Sequence, residues 1–181
     1  MIFLQEQRGV MDLKIRYATE DDAALIADIS RQTFYETFSP VNKKADMDIF
    51  MNVQFTKGRL MLEVGQPGNI FLLAYHNEDI AGYVKLRDTR LPKGLNSKNA
   101  MEIARIYAMP AMIGKGVGKA LMQKSIEIAV EKKKDTIWLG VWKSNKKAID
   151  FYKSWGFTIF GECDFLLGND LQKDWLMKKE L

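Results

Sequence analysis

Arg105-Ile-Tyr-Ala-Met-Pro-Ala-Met-Ile-Gly-Lys-Gly-Val-Gly-Lys-Ala-Leu121 decides how this chain is read. It opens as the end of a strand over residues 102–108, is stopped by Pro110, and sets glycines at 114, 116 and 118 just before a helix over 119–133. A strand, a bare turn and a helix N-terminus together favour an anion. The first helical turn leaves backbone N–H groups unpaired at the positive end of the dipole, and glycine lets a bulky group approach them. The competing reading is a tight turn into the helix with no ligand. Two familiar phosphate loops fail on the letters. A Walker loop needs Ser or Thr after Lys119, where Ala120 stands, and the dinucleotide pattern GxGxxG ends on Lys119 or Leu121 instead of glycine.

Working outward, Leu13-Lys-Ile-Arg-Tyr17 alternates as a strand, and Thr19 with Asp22 caps a helix that runs to about Phe38. A second helical region spans about 45–65, interrupted near Thr56-Lys-Gly58. Ile70 to Tyr75 and Ile80 to Leu86, joined by His76-Asn-Glu-Asp79, predict a β-hairpin. In the helix after the glycines, Leu121, Met122, Ser125, Ile126 and Ala129 form the inward stripe. Thr136 to Trp142 has the apolar continuity of a strand covered on both faces. Asn145 caps a last helix ending before Gly156, and residues 157–163 and 171–178 form a terminal strand pair. The order βααβββαβαββ, with no repeat and no linker, describes one α/β domain over residues 12–181, with residues 1–11 as an N-terminal extension.

Composition narrows the function. The chain has 181 residues, 47% hydrophobic and 28% charged, which describes a globular domain. One cysteine, Cys163, excludes an internal disulfide and fits a reducing, cytoplasmic setting. One histidine beside that cysteine argues against a His/Cys metal site. The net charge of +4 is spread without a basic stripe, and Lys132-Lys-Lys134 reads as a helix C-terminal turn, so nucleic acid is not an expected partner. No long uncharged apolar run suggests a membrane span.

The strand, Met109-Pro-Ala-Met-Ile113 and Gly114-Lys-Gly-Val-Gly118, together with Asn145-Lys-Lys-Ala-Ile-Asp-Phe-Tyr152 followed by Gly156-Phe157, resemble the two hallmarks of the GNAT superfamily of N-acetyltransferases. The resemblance covers roughly residues 12–181. Ile137-Trp-Leu-Gly-Val-Trp-Lys-Ser-Asn145 and Phe34-Tyr-Glu-Thr-Phe38 look most like the bacterial PaiA-type spermidine/spermine acetyltransferases. One position departs: the superfamily loop usually begins with Gln or Arg, and this one begins with Ile113.

The resemblance implies a GNAT-type mixed, mostly antiparallel central sheet flanked by helices, and transfer of an acetyl group from acetyl-CoA to a primary amine, with spermidine or spermine as the expected acceptor. A protein N-terminus or lysine, or a non-catalytic acyl-CoA-binding module, are the alternatives, and a homodimer is compatible with the superfamily. It also implies that the diphosphate meets the amides of Gly114, Lys115, Gly116, Val117, Gly118 and Lys119. The pantetheine arm meets the backbones of Ile106, Tyr107 and Ala108 and the side chain of Asn145. By the resemblance Tyr152 is the expected general acid toward the sulfur; it lies seven residues from Asn145 on the same helix face, a spacing at which a tyrosine also suits a core. Glu102 is the candidate base, on the reading that it shares a strand face with Ala104 and Ile106; its alternative is an exposed strand-end carboxylate. Glu36, Asp46 and Asp48 are the candidate amine-binding acids, or simply a solvated helix face.

Overall fold

The protein is described here by a computed structural model covering residues 12–88 and 91–181; the extension assigned to residues 1–11 lies outside the described residues. The elements are β1 (Leu13–Tyr17), α1 (Ala23–Phe38), α2 (Lys44–Ile49), α3 (Lys57–Met61), β2 (Asn69–His76), β3 (Asp79–Arg87), β4 (Ala100–Ala108), α4 (Val117–Glu131), β5 (Thr136–Trp142), α5 (Lys146–Ser154), β6 (Thr158–Leu167) and β7 (Asp170–Glu180). The expected order holds, with the second helical region split in two. The break comes at Phe55–Thr56, at the near edge of the expected interruption, and Gly58 lies inside the restarted helix. A π-helical turn over Phe50–Gln54 ends α2, and Thr56 restarts the helix as a cap, its hydroxyl accepting from the Arg59 N–H at 3.3 Å. Arg31 of α1 donates to the carbonyls of Met51 and Phe55, taking up backbone acceptors that a regular α-helix would have paired.

The seven strands form one sheet in the order β1-β2-β3-β4-β5-β7-β6. Every neighbouring pair is antiparallel except β4 and β5. Both faces are covered, which explains why β2 and β5 read as continuous apolar runs. On one face, Leu72, Val84, Leu86, Met101, Ile137, Leu139 and Met177 pack against α4 and α5. On the other, Phe71, Leu73 and Tyr83 meet Ile26 and Ile29 of α1. The inward stripe of α4 adds Ile128, 1% exposed, to the residues the sequence pattern favoured, and Ile126 packs half-buried at its edge. Full burial of each such side chain contributes about 1.5–3 kcal/mol.

Two irregularities position the site. The bulge between Lys85 and Leu86 pairs Lys85 with Arg105 but Leu86 with Ile103, so Ala104 is the extra residue of β4. Strand parity reverses there, and Glu102 falls on the face of Arg105 and Tyr107, not on that of Ile106. Secondly, the parallel pairing of β4 with β5 covers only Ala100–Thr136, Met101–Ile137 and Glu102–Trp138. Beyond those pairs the strands diverge and leave a wedge through the sheet. The terminal hairpin is longer than its apolar letters indicate. Its turn fits because Gly168, at φ 61°, lies against α2, where an added Cβ would stand 2.4 Å from the Asp46 carbonyl oxygen.

Candidate active site

The wedge opens into a cleft of ≈ 780 Å³ that reaches both faces of the sheet, within the range typical of small-molecule sites. At one end lies the glycine turn. Gly114 and Gly116 have φ of 80° and 89°, conformations that favour glycine, and no atom lies within 4 Å of a Cβ built on either. Among the described residues, the N–H groups of Gly114, Gly116, Val117, Gly118 and Lys119 find no acceptor, while the Lys115 N–H is taken by the Met112 carbonyl at 3.2 Å. Five unpaired amides at the start of a 15-residue helix fit a diphosphate in number, polarity and room.

The turn is held from below. Val117 is 1% exposed, and its side chain packs where a Cβ on Gly82 would come within 2.8 Å. That Cβ would also stand 2.5 Å from the Tyr107 carbonyl oxygen, so Gly82 is what lets β3, β4 and the helix start approach. Val117 therefore contributes only its amide. Lys115 is exposed and outside the cleft lining, whereas Lys119 and Lys147 line it. Lys147, two residues after Asn145 in the first turn of α5, was not legible as a site residue because it sits in an ordinary charged helix start.

Ile106, Tyr107 and Ala108 all line the wedge, on the edge of β4 that β5 has left. Asn145 and Tyr152 line it from α5. The Asn145 Oδ1 caps α5, accepting from the Ala148 N–H at 3.1 Å, so its amide NH₂ is the part left for a ligand. Tyr152 is 9% exposed, and burial alone pushes its hydroxyl up to about 12, so it remains protonated at neutral pH. No described residue hydrogen-bonds it. Trp138 is core, and Trp142 lines the cleft with Phe38 edge-on at 6.2 Å.

The acidic assignments from sequence need correction. Glu102 is 5% exposed, paired with Arg87 at 2.6 Å, and does not line the cleft; the bulge at Ala104 turns it away from Ile106. Glu36 accepts from Gln32 at 3.1 Å on an exposed helix face. Asp48 pairs with Lys44 at 2.5 Å one turn away. Asp46 accepts from the Asn169 N–H at 3.0 Å and so anchors the β6–β7 turn to α2. None of the three lines the cleft.

Two other carboxylates do. Glu63 accepts both oxygens' bonds from Arg105 at 2.7 Å and pairs with Lys85 at 3.1 Å. Burial, and then the Arg105 charge, depress the Lys85 ammonium to about 8. The second is Asp174 of β7. It pairs across the sheet with Trp142, and its Oδ2 lies 3.7 Å from where a Cβ on Gly140 would be. Its Oδ1 is buried without a hydrogen-bond partner, and burial raises the carboxyl to about 6. The signal in the sequence was faint: an aspartate inside a strand, where that residue type is depleted. Around these groups stand Phe34, Phe38, Phe50, Phe55 and Phe165, with Arg105 5.1 Å over the Phe55 ring.

The model of the Acetyltransferase (GNAT) family matches residues 26–157, spanning the cleft's glycine turn and α5. The chain belongs to the GNAT family of N-acetyltransferases. It is 37% identical over 169 residues to an uncharacterized N-acetyltransferase of Lactobacillus delbrueckii subsp. lactis, covering 93% of this chain and 98% of that one. The L-methionine sulfoximine/L-methionine sulfone acetyltransferase of Salmonella typhimurium is 27% identical over 147 residues, 81% of each chain. In fold, the chain is similar to the PaiA N-acetyltransferase of Thermoplasma acidophilum solved with coenzyme A. Their TM-score is 0.75 at 20% identity, over 94% of this chain and 100% of that one. Among the described residues no helix is long and apolar enough to cross a membrane.

Proposed function

We propose that this GNAT enzyme transfers the acetyl group of acetyl-CoA to a small primary amine carried on an apolar or aromatic body. The diphosphate lies on the five free amides from Gly114 to Lys119. The pantetheine arm follows the unpaired edge of β4 through the wedge, beside the Asn145 amide. The thioester then lies where the two faces of the sheet meet, with Tyr152 on the α5 side as the proton donor for the leaving sulfur. A phenol that is protonated at neutral pH and free of protein partners suits that role.

The acceptor enters from the opposite face, between α1, the π-helical turn and β6. One observation carries the reading of its chemistry: that chamber is walled by five phenylalanines, while its charges nearly cancel. Glu63 is offset by Arg105 and Lys85, and the carboxylates first expected to hold a polycation lie outside the cleft. Spermidine would bring several charges into a chamber with one unpaired carboxylate, at a desolvation cost that nothing there offsets. The relatives named for methionine sulfoximine and for L-amino acids support a compact acceptor.

Thiol release from acetyl-CoA should be followed with phenethylamine, benzylamine, methionine sulfone, spermidine and a lysine-bearing peptide. The expected result is that kcat/KM for the best aromatic or methionine-like amine exceeds that for spermidine at least about ten-fold, the worth of one buried apolar contact. Spermidine or the peptide as the best acceptor would overturn the acceptor class.

A further inference from the structure

With Glu102 held by Arg87 outside the cleft, the proton leaving the amine has no obvious destination, and the geometry points to Asp174 as the general base that receives it. This rests on the acetyl-transfer reading above. Asp174 is placed for the task from both sides. It stands on the face of the sheet that carries Trp142 and the acceptor chamber, opposite the face from which Tyr152 enters. Gly140, its diagonal neighbour on β5, has no side chain, so nothing separates the carboxylate from the wedge; a Cβ there would already be in contact with Oδ2. Its partnerless Oδ1 is unusual, since buried carboxylate oxygens are ordinarily hydrogen-bonded. A carboxylate that other side chains leave unsatisfied is maintained for something that arrives.

The protons and bonds balance as follows. The bound ammonium gives one proton to the Asp174 carboxylate, directly or through one water. The freed nitrogen lone pair attacks the thioester carbonyl carbon, forming C–N as C–S breaks. The Tyr152 hydroxyl protonates the departing sulfur, and the second nitrogen proton restores the tyrosine through cleft solvent. One proton is released per amide formed. Burial supports the assignment by lifting the carboxyl toward the working pH, where a base is most effective. The ionisable groups around it are Tyr107 of β4, held protonated by its own burial, and Cys163, its cross-strand partner on β6. The Glu63–Arg105 pair and Lys147 also line the same cleft.

The test compares Asp174→Asn with the unaltered enzyme on two acceptors of similar shape: phenethylamine, cationic at neutral pH, and phenylhydrazine, already neutral there. The phenethylamine kcat should fall about 10²- to 10³-fold with little change in acetyl-CoA affinity, as for loss of a general base. The acidic limb of its pH profile, near 6, should disappear. Phenylhydrazine turnover should fall by no more than a few-fold, because its nitrogen needs no deprotonation before attack. Equal losses on both acceptors, or an unchanged pH profile, would overturn the role of Asp174 while leaving the acetyl-transfer reading intact. Failure of the unaltered enzyme to acetylate either acceptor would instead count against the proposed acceptor class, and the same comparison on the best amine of the panel, against a neutral hydrazine of its shape, would still decide Asp174.

Discussion

Replacing Gly116 with alanine and replacing Gly118 with alanine should move the protein in opposite directions, although the sites are two residues apart. At Gly116 the backbone stands at φ 89°, and a Cβ would meet nothing within 4 Å, so any penalty is conformational and not steric. An alanine held left-handed costs roughly 1–2 kcal/mol. Either the turn keeps its shape and the whole fold loses that amount, or the turn relaxes and the amide cradle is spoiled. In the second case the same energy appears as an acetyl-CoA Kd raised roughly 5- to 30-fold. Gly118 lies inside α4, and its added Cβ would touch only the Phe151 ring edge at 3.7 Å, an ordinary contact. There alanine should add about 0.5–1 kcal/mol through helix propensity, raising Tm by roughly 1–4 °C, with the amide still free. Thermal unfolding and calorimetric titration with acetyl-CoA measure both quantities. If Gly116→Ala kept both the parent Tm and the parent Kd, the argument that backbone geometry builds the cradle would be refuted.

Tyr152→Phe should lower kcat by about 10²-fold or more while leaving acetyl-CoA affinity within about three-fold, because only the proton donor is lost; single-turnover kinetics with the best amine separate the two. Glu102→Gln should leave kcat nearly unchanged and destabilise the fold by about 2 kcal/mol, since it strands a half-buried Arg87; denaturant unfolding beside a turnover assay checks both. Asp174→Asn should be more stable than the parent at neutral pH. The folded-state pKa is raised from 3.8 to about 6, so the folded state favours the protonated acid. That contribution is complete below about pH 4 and is lost as pH rises through 6, a difference of up to about 3 kcal/mol by pH 7. Parallel pH-dependent melts of the two proteins should diverge over that window.

The fold was legible because its signals are local. Pro110, the glycine spacing, the Asn145 cap and the Gly156 stop each act within a few residues, and they placed β4, α4 and α5 to within two residues, with Gly118 falling inside α4 instead of before it. The terminal hairpin was read short because β6 and β7 carry polar residues such as Asp164 and Gln172, which pattern reading assigns to loops. The backbone half of the site was legible for the same reason: free amides follow from where a helix starts. The acidic half was not. The face of Glu102 depends on a bulge at Ala104, set by pairing with β3 some twenty residues earlier in the chain, and no letter near residue 102 announces it. Asp46 looked like a substrate ligand on a helix and became an anchor because Gly168, far along the chain, folds against it. Asp174 was missed because its meaning comes from Gly140 and from the divergence of β4 and β5, both of them relations between strands.

The most direct measurement is a crystal structure of this protein with coenzyme A. The account predicts the diphosphate on the amides of Gly114 and Gly116 to Lys119, the pantetheine arm along β4 beyond Glu102, and the sulfur within hydrogen-bonding reach of the Tyr152 hydroxyl. Coenzyme A bound anywhere but in the wedge, or lying there with its sulfur directed away from Tyr152, would contradict it.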